Sequence, residues 1–319
     1  MDFFNMKSCI LCPRNCNIDR AAGQSGICGM TEEVRIARAA LHQWEEPCIS
    51  GENGSGTVFF SGCNLHCVYC QNVSIAAGKK GKIVSIEQLA EQFLALQEQG
   101  AHNINLVTPS HYVPQIKAAL LYAKEQGLTL PIVYNTSSYE KTETLRELTG
   151  EVDIYLADLK YTDAILAKKY SHAEDYFSVA AKALQEMVRQ VGEAQFVWPN
   201  ESLYHAEYED GMLMKQGVIV RHLLLPGCLA DSKQVVRYVY ETYGDTVYLS
   251  LMNQYTPLPH VKNYPELNRK VTEEEYEELV DYAIDLGVNH GFIQEGDTAD
   301  ESFIPDFECR MSNPPSSNT

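Results

Sequence analysis

The stretch "TVFFSGCNLHCVYCQN" (57–72) starts as a short β-rich run and passes directly into Cys63, Cys67 and Cys70. A disulfide joins two cysteines, and a closed zinc site takes four ligands. Three thiols on one short loop behind a strand suit a metal centre that keeps one position open.

Outward from this stretch the chain keeps one rhythm. "SIEQLAEQFLALQEQG" (85–100) has helical spacing, with Ser at its start and Gly at its end. "NINLV" (103–107) reads as a strand, "VPQIKAALLYAKEQG" (113–127) as a helix, "PIVYN" (131–135) as a strand and "EKTETLRELTG" (140–150) as a helix. "DIYLA" (153–157) is strand-like, and residues 162–191 read as one or two helices. "GVIVRHLLL" (217–225) and "TVYLSL" (246–251) are strands, followed by helices at 231–244 and 272–287. Strands alternating with helices imply parallel βαβ units. Six units predict an α/β fold, a partial, open (βα)6 TIM-like barrel, with an open doubly wound sheet as the alternative. In parallel α/β folds the chemistry gathers at the C-terminal ends of the strands. Those ends carry Cys63, "TPSH" (108–111), "NTSSY" (135–139), "DLK" (158–160), "PGC" (226–228) and "MNQY" (252–255).

The 319 residues are 45% hydrophobic, enough for a large core. The net charge of −18 argues against nucleic acid and against an anionic membrane surface. No signal-peptide pattern or membrane-length apolar run is present, so a cytoplasmic location is expected. There, ten cysteines point to metal or catalysis rather than to disulfides. Cys9, Cys12, Cys16 and Cys28 lie in "CILCPRNCNIDRAAGQSGICG" (9–29), which reads as a metal knuckle. Zinc and a second [4Fe–4S] cluster are both chemically reasonable there. Cys48, Cys228 and Cys309 read as ordinary thiols. "GENGSG" (51–56) precedes a strand and reads as a turn rather than a phosphate loop. Residues 193–216 read as a surface excursion, or else as a lid or docking loop, and the end of the tail as disordered. The expected organisation is a cysteine-rich extension (1–50), the barrel (51–296) and a C-terminal tail (297–319).

Cys-x3-Cys-x2-Cys with Tyr69 before the last cysteine, "DLK" and "VRHLLLPG" (220–227) together resemble the radical S-adenosylmethionine enzymes. The likeness covers roughly residues 55–295 and is nearest to the relatives of pyruvate formate-lyase activating enzyme, in a branch with an N-terminal four-cysteine motif. The resemblance implies that Cys63, Cys67 and Cys70 bind three irons of a [4Fe–4S] cluster, leaving the fourth iron for S-adenosylmethionine. It implies hydrogen abstraction by a 5′-deoxyadenosyl radical, a one-electron donor such as flavodoxin or ferredoxin, and a glycyl radical enzyme as partner. Tyr69 is expected near the adenine. Thr108 and Ser110 replace the family's Gly-Gly-Glu and are expected to meet the methionine end, as are Asp158 and Lys160. Asn135, beside Thr136, stands where activating enzymes carry an Asp tied to a monovalent cation. Arg221 is expected to contact the cofactor carboxylate or ribose, and Gln254 to stand where the family has a His near the adenine. Two other readings are a radical enzyme modifying a small molecule or peptide, and a non-catalytic iron–sulfur or zinc protein that binds or transfers electrons.

Overall fold

The computed structural model describes residues 6–198, 211–294, 305 and 307. An irregular cysteine-bearing segment leads into β1 (Val34–His42) and the short helix α1 (Pro47–Ser50). Next come β2 (Ser55–Phe60), α2 (Val73–Ala76) and β3 (Lys82–Val84). Regular alternation follows: α3 (Ile86–Glu98), β4 (Ile104–Val107), α4 (Val113–Glu125), β5 (Ile132–Thr136), α5 (Thr142–Arg146) and β6 (Ile154–Asp158). Two helices, α6 (Ala164–Ser171) and α7 (Tyr176–Val191), then precede the short strand β7 (Gln195–Val197). The chain continues through β8 (Leu213–Leu223), α8 (Leu229–Tyr243), β9 (Tyr248–Met252), α9 (Glu273–Leu286) and β10 (Gly291–Ile293).

The sheet runs β10-β9-β8-β6-β5-β4-β2-β1-β3. From β2 to β10 every neighbouring pair is parallel, whereas β1 pairs antiparallel with both β2 and β3. The two ends do not pair among the described residues, so the fold is α/β with an open, partial barrel. Every residue of β2, β4 and β5 is buried, as expected for strands covered on both faces. Local sequence fixes the helix ends. Ser85 and Gln88 form a capping box on α3, Thr272 and Glu275 form another on α9, and Gly287 closes α9 in the left-handed region.

The six expected strands are all present, and residues 162–191 resolve into two helices. Four strands were not legible: β1, β3, β7 and β10. β1 carries the sheet across the expected boundary at residue 50 and buries Val34, Ile36 and Ala39 in the main core. Past β1, Cys48 and Ile49 of α1 pack on Val133, Ile154, Leu156 and Ile219. These side chains alternate along β5, β6 and β8, so α1 plugs the barrel interior from below. In the expected tail, Phe307 is buried and packs edge-on against Phe59. Residues 199–210 of the expected excursion, Cys309 and the end of the tail lie outside the described residues.

Candidate active site

Strand pleating places alternate residues of each strand in the barrel. Just above the α1 plug, this brings Asn105 from β4, Asn135 from β5, Asp158 from β6 and Arg221 from β8 to one level. Arg221 Nη1 lies 3.0 Å from Glu45 Oε2, its Nε 3.0 Å from Asp158 Oδ1, and its Nη2 donates to Asn135 Oδ1 at 2.7 Å. Asn105 and Asn135 donate to the other Glu45 oxygen at 3.0 and 3.3 Å. Lys160 donates to Asp158 at 2.7 Å. Two cations thus face Glu45 and Asp158 in a nearly closed space, and a third buried carboxylate, Glu46, also acts on Arg221. The neutral amide of Asn135 fits here, because an Asp would add a further anion. Burial alone would raise the Asp158 carboxyl, but Lys160 and Arg221 outweigh it and hold it below its ordinary value. Burial is the larger influence on Glu45 and raises it despite Arg221.

A cavity of about 230 Å³ rises from this layer to the strand ends. Cys63, Cys67, Cys70 and Tyr69 line it from the loop after β2; Thr108, Asn135, Thr136, Asp158, Lys160, Arg221 and Gln254 line it from the other strands. His42, Trp44 and Glu45 close its lower side, and Pro305 reaches it from the C-terminal segment. Burial, together with Arg38 and Arg221, lowers His42 to about 4, leaving a neutral imidazole at neutral pH. Thr108 holds φ = 57°, a left-handed conformation costly for a β-branched residue and of the kind that clusters at functional sites.

Burial pushes the Cys70 thiol up to about 12, with Cys67 and Cys63 adding to the effect. Cys67 is also raised, by burial first and against the pull of Lys160. Such thiols stay protonated at neutral pH unless a metal supplies positive charge. The Ser171 hydroxyl donates to Cys67 Sγ at 2.9 Å, and Tyr161 links Ser171 (3.0 Å) to the Tyr69 hydroxyl (2.7 Å). The loop is also held at its back. Cys63 N–H donates to the Cys28 carbonyl at 3.3 Å, and Arg14 spans the Asn64 and His172 carbonyls at 2.7 Å each.

Of the residues expected from the sequence, Ser110 does not line the cavity. It is buried, and its hydroxyl turns away to donate to Glu140. Thr136 lines the cavity, but its hydroxyl also donates to Glu140, at 2.6 Å. Arg221 is at the expected place, yet the anions it holds are Glu45 and Asp158. Cys48 and Cys228 are buried free thiols. Sequence reasoning missed Glu45, Glu140, Ser171 and Tyr161. Only for Glu45 was there a local signal, two adjacent carboxylates in "WEEP" (44–47) leading into α1.

The family model described as the radical SAM superfamily matches residues 57–196. This stretch, somewhat less than half of the chain, is similar to the radical SAM superfamily. The match runs from β2 into β7 and so includes the three cysteines, Asp158 and Lys160, while Arg221, Gln254 and the N-terminal cysteines lie outside it. An uncharacterized protein of Methanocaldococcus jannaschii is 26% identical over 287 residues, spanning 87% of this chain and 74% of that protein. Among solved structures, Streptococcus suis SuiB superposes with a TM-score of 0.49 at 13% identity, covering 76% of this chain and 48% of SuiB. This chain therefore spans about half the length of SuiB. A domain of a pyruvate-formate lyase-activating enzyme from Bacteroides vulgatus gives 0.37 at 14% identity, over 59% of this chain and 91% of that one.

Radical SAM domains imply a [4Fe–4S] cluster and S-adenosylmethionine, and the residues present fit both. Three thiols open onto one cavity, and one of them already accepts a hydroxyl hydrogen. Among the described residues no three Cys, His, Asp or Glu side chains converge as a single ion would require. A cluster takes each thiolate on a separate iron and needs no such common point. Among the described residues no helix is long and apolar enough to cross a membrane.

Proposed function

We propose that this protein reductively cleaves S-adenosylmethionine and uses the resulting radical to abstract hydrogen, as an activator of a glycyl radical enzyme. The observation that carries this reading is the opening of Cys63, Cys67 and Cys70 onto a cavity that also presents Lys160, Asp158 and Asn135. Cys63, Cys67 and Cys70 would hold the cluster, leaving one iron open. When bound there, the cluster would supply one-electron reductive cleavage of the sulfonium–C5′ bond of S-adenosylmethionine. Tyr69 and Gln254, which both line the cavity, would flank the adenine, and Lys160 would meet the cofactor carboxylate. The packed barrel walls and the α1 plug exclude water and competing hydrogen donors. The electron would come from a flavodoxin or ferredoxin in the cytoplasm. We read Cys9, Cys12, Cys16 and Cys28 as ligands of a second, closed centre; of zinc and another [4Fe–4S] cluster, the cluster fits better, because it needs no common point for the thiols.

Anaerobically reconstituted protein with dithionite and S-adenosylmethionine is expected to form 5′-deoxyadenosine, and the Cys63/Cys67/Cys70→Ala triple variant to form none. Product at the wild-type rate in that variant would overturn the assignment. Ser171 offers a finer test. A hydrogen bond to a ligating sulfur favours the reduced cluster, so Ser171→Ala should lower the reduction potential by on the order of tens of millivolts. A potentiometric titration followed by electron paramagnetic resonance reads this shift; an unmoved potential would show that the hydroxyl does not serve the bound sulfur.

A further inference from the structure

Arg20, in the N-terminal segment, is only 1% exposed. Its Nη1 donates to the His111 carbonyl at 2.7 Å, and its Nε and Nη2 to the Thr31 carbonyl at 3.1 and 2.5 Å. The guanidinium also lies over the Tyr112 ring, 5.6 Å from its centre. Carbonyls and a ring satisfy its hydrogens but bring no counter-charge. Among the described residues no carboxylate pairs with it, in contrast to Arg221, which holds two. A buried guanidinium without an anion is strongly disfavoured.

What stands beside Arg20 is sulfur. Cys9 Sγ lies 3.9 Å from its Nη1. The other cysteines fold onto the same short segment: Cys16 Sγ accepts the Ile27 N–H at 3.5 Å, next to Cys28, Asn17 N–H donates to the Cys9 carbonyl at 2.9 Å, and Asn15 N–H donates to the Cys12 carbonyl at 3.1 Å. Cys9, Cys12 and Cys28 are buried. Free thiols are neutral and would leave Arg20 uncompensated. No three of these side chains converge as a single ion would require, so an iron–sulfur cluster fits them better than one zinc ion. Four thiolates on an oxidised [4Fe–4S] core sum to a net negative charge.

We infer that Cys9, Cys12, Cys16 and Cys28 bind one metal centre as thiolates, and that the buried Arg20 is the cation balancing its charge. This rests on the second-centre reading above and adds the group that makes that centre tolerable in a buried position. It also gives the centre a structural task, because the Cys28 carbonyl holds Cys63 N–H at the base of the first cysteine loop.

The test uses the full-length Cys63/Cys67/Cys70→Ala variant, in which any remaining thiolate-bound metal belongs to the N-terminal site. Elemental analysis is expected to find iron retained in it; zinc alone would contradict the cluster, and the absence of both metals would defeat the second-centre reading itself. Arg20→Gln, which keeps polar reach without charge, should then lose metal to a chelator about tenfold faster or more, whereas Arg20→Lys should hold it nearly as well as Arg20. Thermal melting gives a readout that a merely structural arginine would not move. Arg20→Gln should destabilise the metal-loaded protein yet leave the metal-free protein as stable or more stable, since the unbalanced charge is gone. Metal retained equally by all three residues, or equal destabilisation with and without metal, would overturn the role of Arg20 alone. Should Arg20→Gln not fold, loss of metal from Arg20→Lys would count against the inference in the same way.

Discussion

Replacing Arg221 by Met is expected to lower stability by roughly 3–5 kcal/mol, the usual cost of removing one partner from a buried ion pair. All three guanidinium nitrogens are engaged within the barrel, by Glu45, Asp158 and Asn135. The side chains of Arg221, Glu45 and Asp158 are 13%, 9% and 18% exposed, so water from the cavity would replace these contacts only in part. Without Arg221, Glu45 has only the amides of Asn105 and Asn135, and Asp158 only Lys160. The sequence alone suggests a milder result, a folded variant with weakened cofactor binding. Such an arginine–cofactor contact would be a charge-assisted hydrogen bond of roughly 1.5–3 kcal/mol. The ion pairs now on view make the structural cost the larger effect. Urea denaturation of the variant measures it. Adding Glu45→Gln should recover much of the loss, because the stranded anion is then removed; strictly additive losses would show that the pair is not coupled.

Glu140→Gln should change how stability depends on pH. Glu140 is 1% exposed, and one of its oxygens accepts from Ser110, Thr136 and Tyr134, while Oε2 has no partner. Burial raises its carboxyl from 4.5 to about 7, against the pull of those hydroxyls. A folded value above the unfolded one means that the unfolded chain gives up the proton first. The stabilising contribution is therefore complete below about 4.5 and is lost as pH rises through about 7. At about 1.4 kcal/mol per pH unit across that window, the loss amounts to roughly 3 kcal/mol. Gln keeps the accepting oxygen and does not ionise, so the variant should match the parent at pH 4 and exceed it by that order at pH 8. Denaturation at several pH values measures the difference, and a difference that does not vary with pH would contradict the assignment.

Much of the barrel was legible because apolar strands and capped helices alternate with local signals at each end. Strand β1 was not, since Arg35, Arg38 and three alanines in "VRIARAALH" blur its period. Three-residue strands such as β3, β7 and β10 give too short a pattern to read. The site divides in the same way. The cysteine triplet and Asp-x-Lys are local motifs and could be read directly. That Arg221 needs an anion was also readable from its apolar strand. Its partner Glu45 was not, because it lies 176 positions away on the loop that follows the unread β1. Ser110 was assigned from its loop alone, and only the fold shows that Glu140 claims its hydroxyl.

The central claim is that Cys63, Cys67 and Cys70 hold a cluster with one iron left open for S-adenosylmethionine. The most direct measurement is electron paramagnetic resonance of the dithionite-reduced, reconstituted protein with and without S-adenosylmethionine, on wild type and on a Cys9/Cys12/Cys16/Cys28→Ser variant to isolate the signal of the triplet. Our account predicts, in the four-Ser variant, a reduced [4Fe–4S] spectrum that S-adenosylmethionine shifts and that disappears when Cys63, Cys67 and Cys70 are also replaced by Ala. A spectrum in the four-Ser variant that is indifferent to S-adenosylmethionine, or that survives the loss of those three cysteines, would contradict it.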